Sequence, residues 1–120
     1  MKEKIKSKYG TLVGVCGVDS GQIMLTDPCY VRDFVDEMAN GEEFDGSIQP
    51  NHRGEFPYTY NGACSATLSD EMAGQLGACQ GVVVTTGWGD GLYPVYVTYG
   101  DDGRIATATI SFLGDDDKEF

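Results

Sequence analysis

The amino-acid sequence predicts a mainly β protein, a small antiparallel sandwich or half-barrel with one or two short helices. Three observations carry this expectation. Seventeen of the 120 residues are glycine, about twice the usual share, which suits many tight turns between short strands. Runs rich in β-branched and aromatic residues recur between clusters of Gly, Asn and Asp. The last third holds two alternating runs around Gly100-Asp101-Asp102-Gly103, the pattern of a long hairpin.

The elements follow in order. Lys2, Lys4, Lys6 and Lys8 make residues 1–8 a basic N-terminal arm. Residues 11–18, with Leu12, Val13, Val15 and Val18, predict a first strand. An Asp19-Ser20-Gly21 turn then leads to a second strand over 22–26, and the two read as a hairpin. Asp27-Pro28 ends that strand, because proline cannot donate to a ladder and suits the first position of a helix capped by Asp27. Val31, Phe34, Val35, Met38 and Ala39 then repeat at helical spacing, so a helix is expected over 30–39, stopped by Asn40-Gly41. Residues 41–57 are polar and turn-rich, the composition of a long surface loop. Asn61-Gly62 between 58–60 and 63–68 predicts a second hairpin, and Ser69-Asp70-Glu71 caps a brief helical turn holding Met72 and Leu76. Residues 82–86 form a β-branched strand. The last hairpin pairs 93–99 with 104–112, with Ala106, Ala108, Ile110 and Phe112 as its core face. Residues 114–120 are an acidic tail, which leaves a single β-rich domain over 9–113.

Charge and cysteine usage narrow the function classes. The net charge is −11, and residues 9–120 carry four basic residues against eighteen acidic ones, a net of −14. Such a body repels phosphate backbones and disfavours direct nucleic-acid binding. It suits a cation, a basic partner or plain solubility. Cys16, Cys29, Cys64 and Cys79 form no CxxC pair, so zinc-ribbon and thioredoxin-like motifs are absent. No signal-peptide pattern and no apolar run long enough to span a bilayer occurs. The expectation is a cytoplasmic protein, away from membranes, with free and mostly buried thiols.

Two segments stand apart as candidate site elements. One runs from Asp19-Ser20-Gly21 to Asp27-Pro28-Cys29-Tyr30, and the other is Gly87-Trp88-Gly89-Asp90-Gly91-Leu92-Tyr93-Pro94-Val95-Tyr96. Each sets an aspartate at a strand end beside glycine or proline, with aromatics adjacent. The glycines permit positive φ and close backbone approach, and Trp88, Tyr93 and Tyr96 can wall a pocket. The structural alternative is that Asp27 and Asp90 cap turns and the aromatics are core. Catalysis would use Cys29 as a nucleophile at a helix start, or Asp27 and Asp90 as a carboxylate pair. The sole histidine, His52, falls in the loop expected to be exposed. Asp27 and Asp90 are of the type a hard cation takes, but no EF-hand spacing occurs, no metal is assigned and no cofactor is expected.

These two segments together resemble the DUF4241 family. Its members carry a similar early Ser-Gly … Asp-Pro element and a late Gly-x-Gly-Asp-Gly-x-Tyr-Pro-Val-Tyr element. A glycine-containing turn and a last strand ending in an aromatic follow, here Asp102-Gly103 through Phe112. The family has no assigned function. The resemblance implies the β-rich fold, draws attention to Asp27, Asp90 and Tyr93, and implies a phage or prophage origin. The function expected is a non-enzymatic binding module that captures a small molecule or host protein in a cleft between the two segments. Its sites would be Asp19, Asp27, Cys29, Tyr30, Trp88, Asp90, Tyr93 and Tyr96. The alternatives are a small hydrolase using Asp27, Asp90 or Cys29, and an acidic protein that blocks a basic surface.

Overall fold

A computed structural model describes residues 6–113. The protein is mainly β, with eight strands, one α-helix and one 3-10 helix among those residues. The strands form two four-stranded sheets, ordered β1-β2-β7-β8 and β3-β6-β5-β4. Two compact units follow from the chain path. A terminal unit takes the residues up to Ser20 and from Gly87 onward, and a central unit is Gly21–Thr86.

In the terminal unit, β1 (Lys6–Ser7) pairs antiparallel with β2 (Gly10–Val18), so the end of the basic arm joins a sheet. Residues 1–5 of the arm and the acidic tail 114–120 lie outside the described residues. β2 pairs with β7 (Gly91–Tyr99), not with the strand that follows it. The expected hairpin of 11–18 with 22–26 is therefore not formed. The reason is long-range pairing: β7 is apolar along its length and offers β2 a far longer ladder than the local turn could. Gly10 makes that pairing possible. Its φ is +118°, and a Cβ there would lie 2.2 Å from the carbonyl oxygen of Val97.

β7 and β8 (Ile105–Ile110) form the expected hairpin. The buried face is not the expected one. Ala106 and Ala108 are exposed, and Ile110 and Phe112 are half-buried, while Tyr93, Tyr96 and Val97 of β7 are buried. As the central strand of its sheet, β7 carries the packing. Tyr96 stacks obliquely on Tyr9 at 5.7 Å between ring centres, and Tyr93 meets Phe112 edge-on at 5.3 Å.

In the central unit, β3 (Gln22–Thr26) pairs with β6 (Gly81–Thr85), and β6 with β5 (Ala73–Leu76). A two-residue β4 (Glu55–Phe56) adds a parallel edge to β5, inside the otherwise irregular 41–57 stretch. The α-helix α1 (Tyr60–Thr67) packs on β4, β5 and β6. Phe56, Tyr58, Ala63, Ala66, Leu76 and Val83 make the core, with Met24 and Phe34 against it.

Three local expectations fail here. The 58–68 stretch holds α1 rather than a hairpin, because Thr59 caps the helix through a 2.9 Å bond from the Gly62 N–H. Gly62 is needed for proximity and not for a turn: a Cβ there would sit 2.0 Å from the Pro57 carbonyl oxygen. The helix expected over 30–39 is instead a 3-10 helix, Pro28–Asp33, whose cap is Asp27 as expected. Phe34 is extended, Val35 bridges in parallel to Thr59, and turns follow. Phe34 alone of the apolar stripe is packed, edge-on to Tyr58 at 5.1 Å, while Val31, Val35 and Met38 are exposed. A stripe with no surface to cover it has nothing to hold it helical. The brief helical turn expected near Met72 is β5, since Gly74 and Gly77 disfavour helix and Met72 takes a φ of 57°.

Candidate functional site

The late motif builds a short, glycine-framed loop. Gly87, Gly89 and Gly91 have φ of 74°, 80° and 156°, conformations that other residues adopt at a cost. The buried Tyr93 reaches back and donates its hydroxyl to the Gly89 carbonyl at 2.8 Å. The motif's tyrosine thus anchors the loop instead of facing outward. Between these fixed points Trp88 is 74% exposed.

The sheet register brings a second predicted residue to this loop. Val18 is paired with Gly91, so Asp19 and Asp90 both stand one residue past the last pair, at the same end of the β2–β7 ladder. Both are exposed. Asp19, Trp88 and Asp90 therefore share one strand end of the terminal unit. Tyr93 and Tyr96 are core residues, at 3% and 0% exposure; Tyr93 holds the loop through its hydroxyl, while Tyr96 packs on Tyr9.

Asp27, Cys29 and Tyr30 belong to the central unit, all exposed. The Asp27 carboxylate accepts the Cys29 N–H at 2.9 Å, and its carbonyl accepts the Tyr30 N–H at 2.9 Å. The Cys29 backbone N–H, followed by its thiol, holds the Asp27 carboxyl below its ordinary value. In return the bond to Asp27 pushes the Cys29 thiol up, with desolvation and carboxylate charge acting in the same direction. A nucleophilic cysteine needs the opposite shift. His52 is exposed, in a tight loop where Asn51 and Arg53 both bind the Glu55 carboxylate, at 2.9 and 3.0 Å. The four cysteines are free, but two are half-buried and two exposed, so the expectation of mostly buried thiols fails. Among the described residues, no group of three or more His, Cys, Asp or Glu side chains is placed to hold a metal ion.

One hollow was not legible in the sequence. In the central unit, a groove of about 650 Å³ runs between the 46–54 loop, the end of α1 and β5. Phe56, Ile48 and Leu68 give it apolar walls, and Asp70 and Glu71 give it an acidic rim. Gly74 lies on its wall, and a Cβ there would lie 2.9 Å from the Ala66 Cβ, so the glycine lets α1 pack closely on β5. The signal was the glycine inside the 73–76 run, which reads as a helix breaker until the strand and its neighbour are known.

A family model for proteins of unknown function (DUF4241) matches residues 8–110. The chain belongs to the DUF4241 family. The match takes in nearly all of both sheets, so the family pattern describes the fold as a whole and not the late motif alone. Neither curated proteins nor solved structures give a significant match. No helix among the described residues of this DUF4241 protein is long and apolar enough to cross a membrane.

Proposed function

We propose that the protein is a non-enzymatic binding module that takes a small ligand or a protein partner at the strand end carrying Asp19, Trp88 and Asp90. The observation that supports this is the exposure of Trp88 on a loop tied down by Tyr93. A large aromatic ring in water, on a backbone already ordered, offers contact area at little further entropic cost. The two neighbouring carboxylates and the net charge of −11 favour a ligand that bears a basic group. This combines the binding-module reading with that of an acidic protein facing a basic surface. The raised Cys29 thiol weighs against the hydrolase reading. We read its place of action as the cytoplasm, in keeping with the four free thiols. A phage or prophage origin rests on the motif resemblance alone.

The test uses the single tryptophan as reporter. Nucleotides, sugars, divalent ions and an arginine-rich peptide are titrated while Trp88 emission and heats of binding are recorded. The basic peptide is expected to shift the emission and to bind more weakly as salt rises. Trp88→Ala should keep the fold and lose most of the affinity. No emission change and no heat with any of these probes would overturn the proposal.

A further inference from the structure

Among the described residues, the strand order β1-β2-β7-β8 leaves β8 with one neighbour. Which of its backbone groups turn outward follows from the register. Ile110 stands opposite Val95, Thr109 opposite Tyr96 and Ala108 opposite Val97. One step further, the Ser111 N–H donates to the Pro94 carbonyl at 3.3 Å. Opposite residues in an antiparallel ladder alternate between pairs that exchange hydrogen bonds and pairs that do not. Ser111, Thr109 and Thr107 therefore turn their N–H and C=O groups toward β7, while Ile110 and Ala108 turn theirs away. Ala106 has no partner on β7 because the register shifts beside it.

This edge lacks the usual protection. It reads Ile105-Ala106-Thr107-Ala108-Thr109-Ile110, with no charge, proline or glycine, in a chain of which 22% is charged. Residues 105–108 are exposed, Ile105 to 61%. Natural edge strands are blunted by lysine, by proline or by being very short. The opposite edge of the same sheet, the two-residue β1, is short in that way.

We propose that a second copy of this chain covers the edge, with β8 antiparallel to β8 about a twofold axis. A twofold perpendicular to the sheet keeps every side chain on its own face, so odd-numbered residues meet odd and even meet even. Centring on Ala108 satisfies that rule and the bonding pattern together. Ala108 meets Ala108 of the partner, each with its groups turned outward. Ile110 meets Ala106, bulky against small, and Thr107 meets Thr109, hydroxyl against hydroxyl. The register and the charge both favour this occupant: the strand is complementary to itself about Ala108, and two copies of a chain of net charge −11 meet there with no charged side chain of either strand at the axis.

Sedimentation equilibrium of the full chain over a range of concentrations tests this. The mass is expected to rise with concentration to twice 12.9 kDa and stop there. Ala108→Pro deletes an outward N–H that β7 does not use, so it should give a monomer whose urea midpoint equals that of the wild-type chain when both are measured at concentrations too low for the dimer to form. Thr109→Pro deletes an inward N–H and should lower the midpoint. Should Ala108→Pro not fold, Ala108→Lys sets two ammonium groups face to face and should weaken the dimer by about fivefold, less at high salt. A monomer at every concentration, open-ended growth, or a dimer indifferent to both Ala108 substitutions would overturn the proposal.

Discussion

Replacing Tyr93 by phenylalanine removes one oxygen and keeps a ring of nearly the same shape. The ring is 3% exposed and meets Phe112 edge-on at 5.3 Å and 89°, contacts that phenylalanine retains. What goes is the hydroxyl's 2.8 Å bond to the Gly89 carbonyl. A hydrogen bond between neutral groups contributes about 0.5–1.5 kcal/mol. Gly89 is half-buried, so water can take over part of the lost bond. The expected cost is then about 1 kcal/mol, or about 4 °C in Tm. Tyr93→Ala also loses the ring and should cost about 3–5 kcal/mol. Urea denaturation followed by circular dichroism measures both. The anisotropy of Trp88, the only tryptophan, reports the loop separately and should fall in Tyr93→Phe while the sheet signal stays unchanged. If stability and anisotropy both stay at wild-type values, the hydroxyl has no hold on the loop and the reasoning is refuted.

Three further outcomes are expected. Gly62→Ala forces a Cβ to 2.0 Å from the Pro57 carbonyl oxygen, and the helix must shift, lowering stability by about 1–3 kcal/mol in a urea melt; a neutral result would mean that the 57–62 approach is not needed. Asp27→Asn removes the carboxylate that raises the Cys29 thiol, so Cys29 should react faster with a disulfide reagent at neutral pH, and an unchanged rate would exclude that coupling. Asn51 and Arg53 bonds hold Glu55 below its ordinary 4.5, and the Ser47 bonds and the Cys29 N–H hold Asp45 and Asp27 below 3.8. Groups with depressed folded pKa values stabilise fully above their unfolded values and lose that contribution as pH falls through the folded ones. The urea midpoint should therefore be level above about pH 5 and decline below it, with a shallower decline in Glu55→Gln.

The mainly β class, the strands at 11–18, 22–26 and 82–86, and the C-terminal hairpin were legible because composition and local turn chemistry decide them. The Asp27 cap was legible for the same reason. Partner choice was not. Nothing near Asp19-Ser20-Gly21 tells that β2 waits for β7, since that preference is set by an apolar strand far along the chain. Asn61-Gly62 illustrates the opposite error. A dipeptide that signals a hairpin sits in α1 because the glycine answers to a neighbouring carbonyl and Asn61 accepts the Asp45 N–H at 3.2 Å. At the candidate site, alternation along 91–99 could not tell outward from inward for Tyr93 and Tyr96, because β7 is buried on both faces. Trp88 was readable as peculiar, though its exposure was not.

The Thr86 N–H donates to the Gly21 carbonyl at 3.1 Å, so the central segment leaves and returns at one point. During synthesis, β2 emerges long before the strand that completes it, and its ladder edge waits unsatisfied through about seventy residues of elongation. Folding of Gly21–Thr86 in that interval would draw its two ends together and shorten the loop that β2 and β7 must close. The single bond between Thr86 and Gly21 would then turn a loop of about seventy residues into a short span between the two strands.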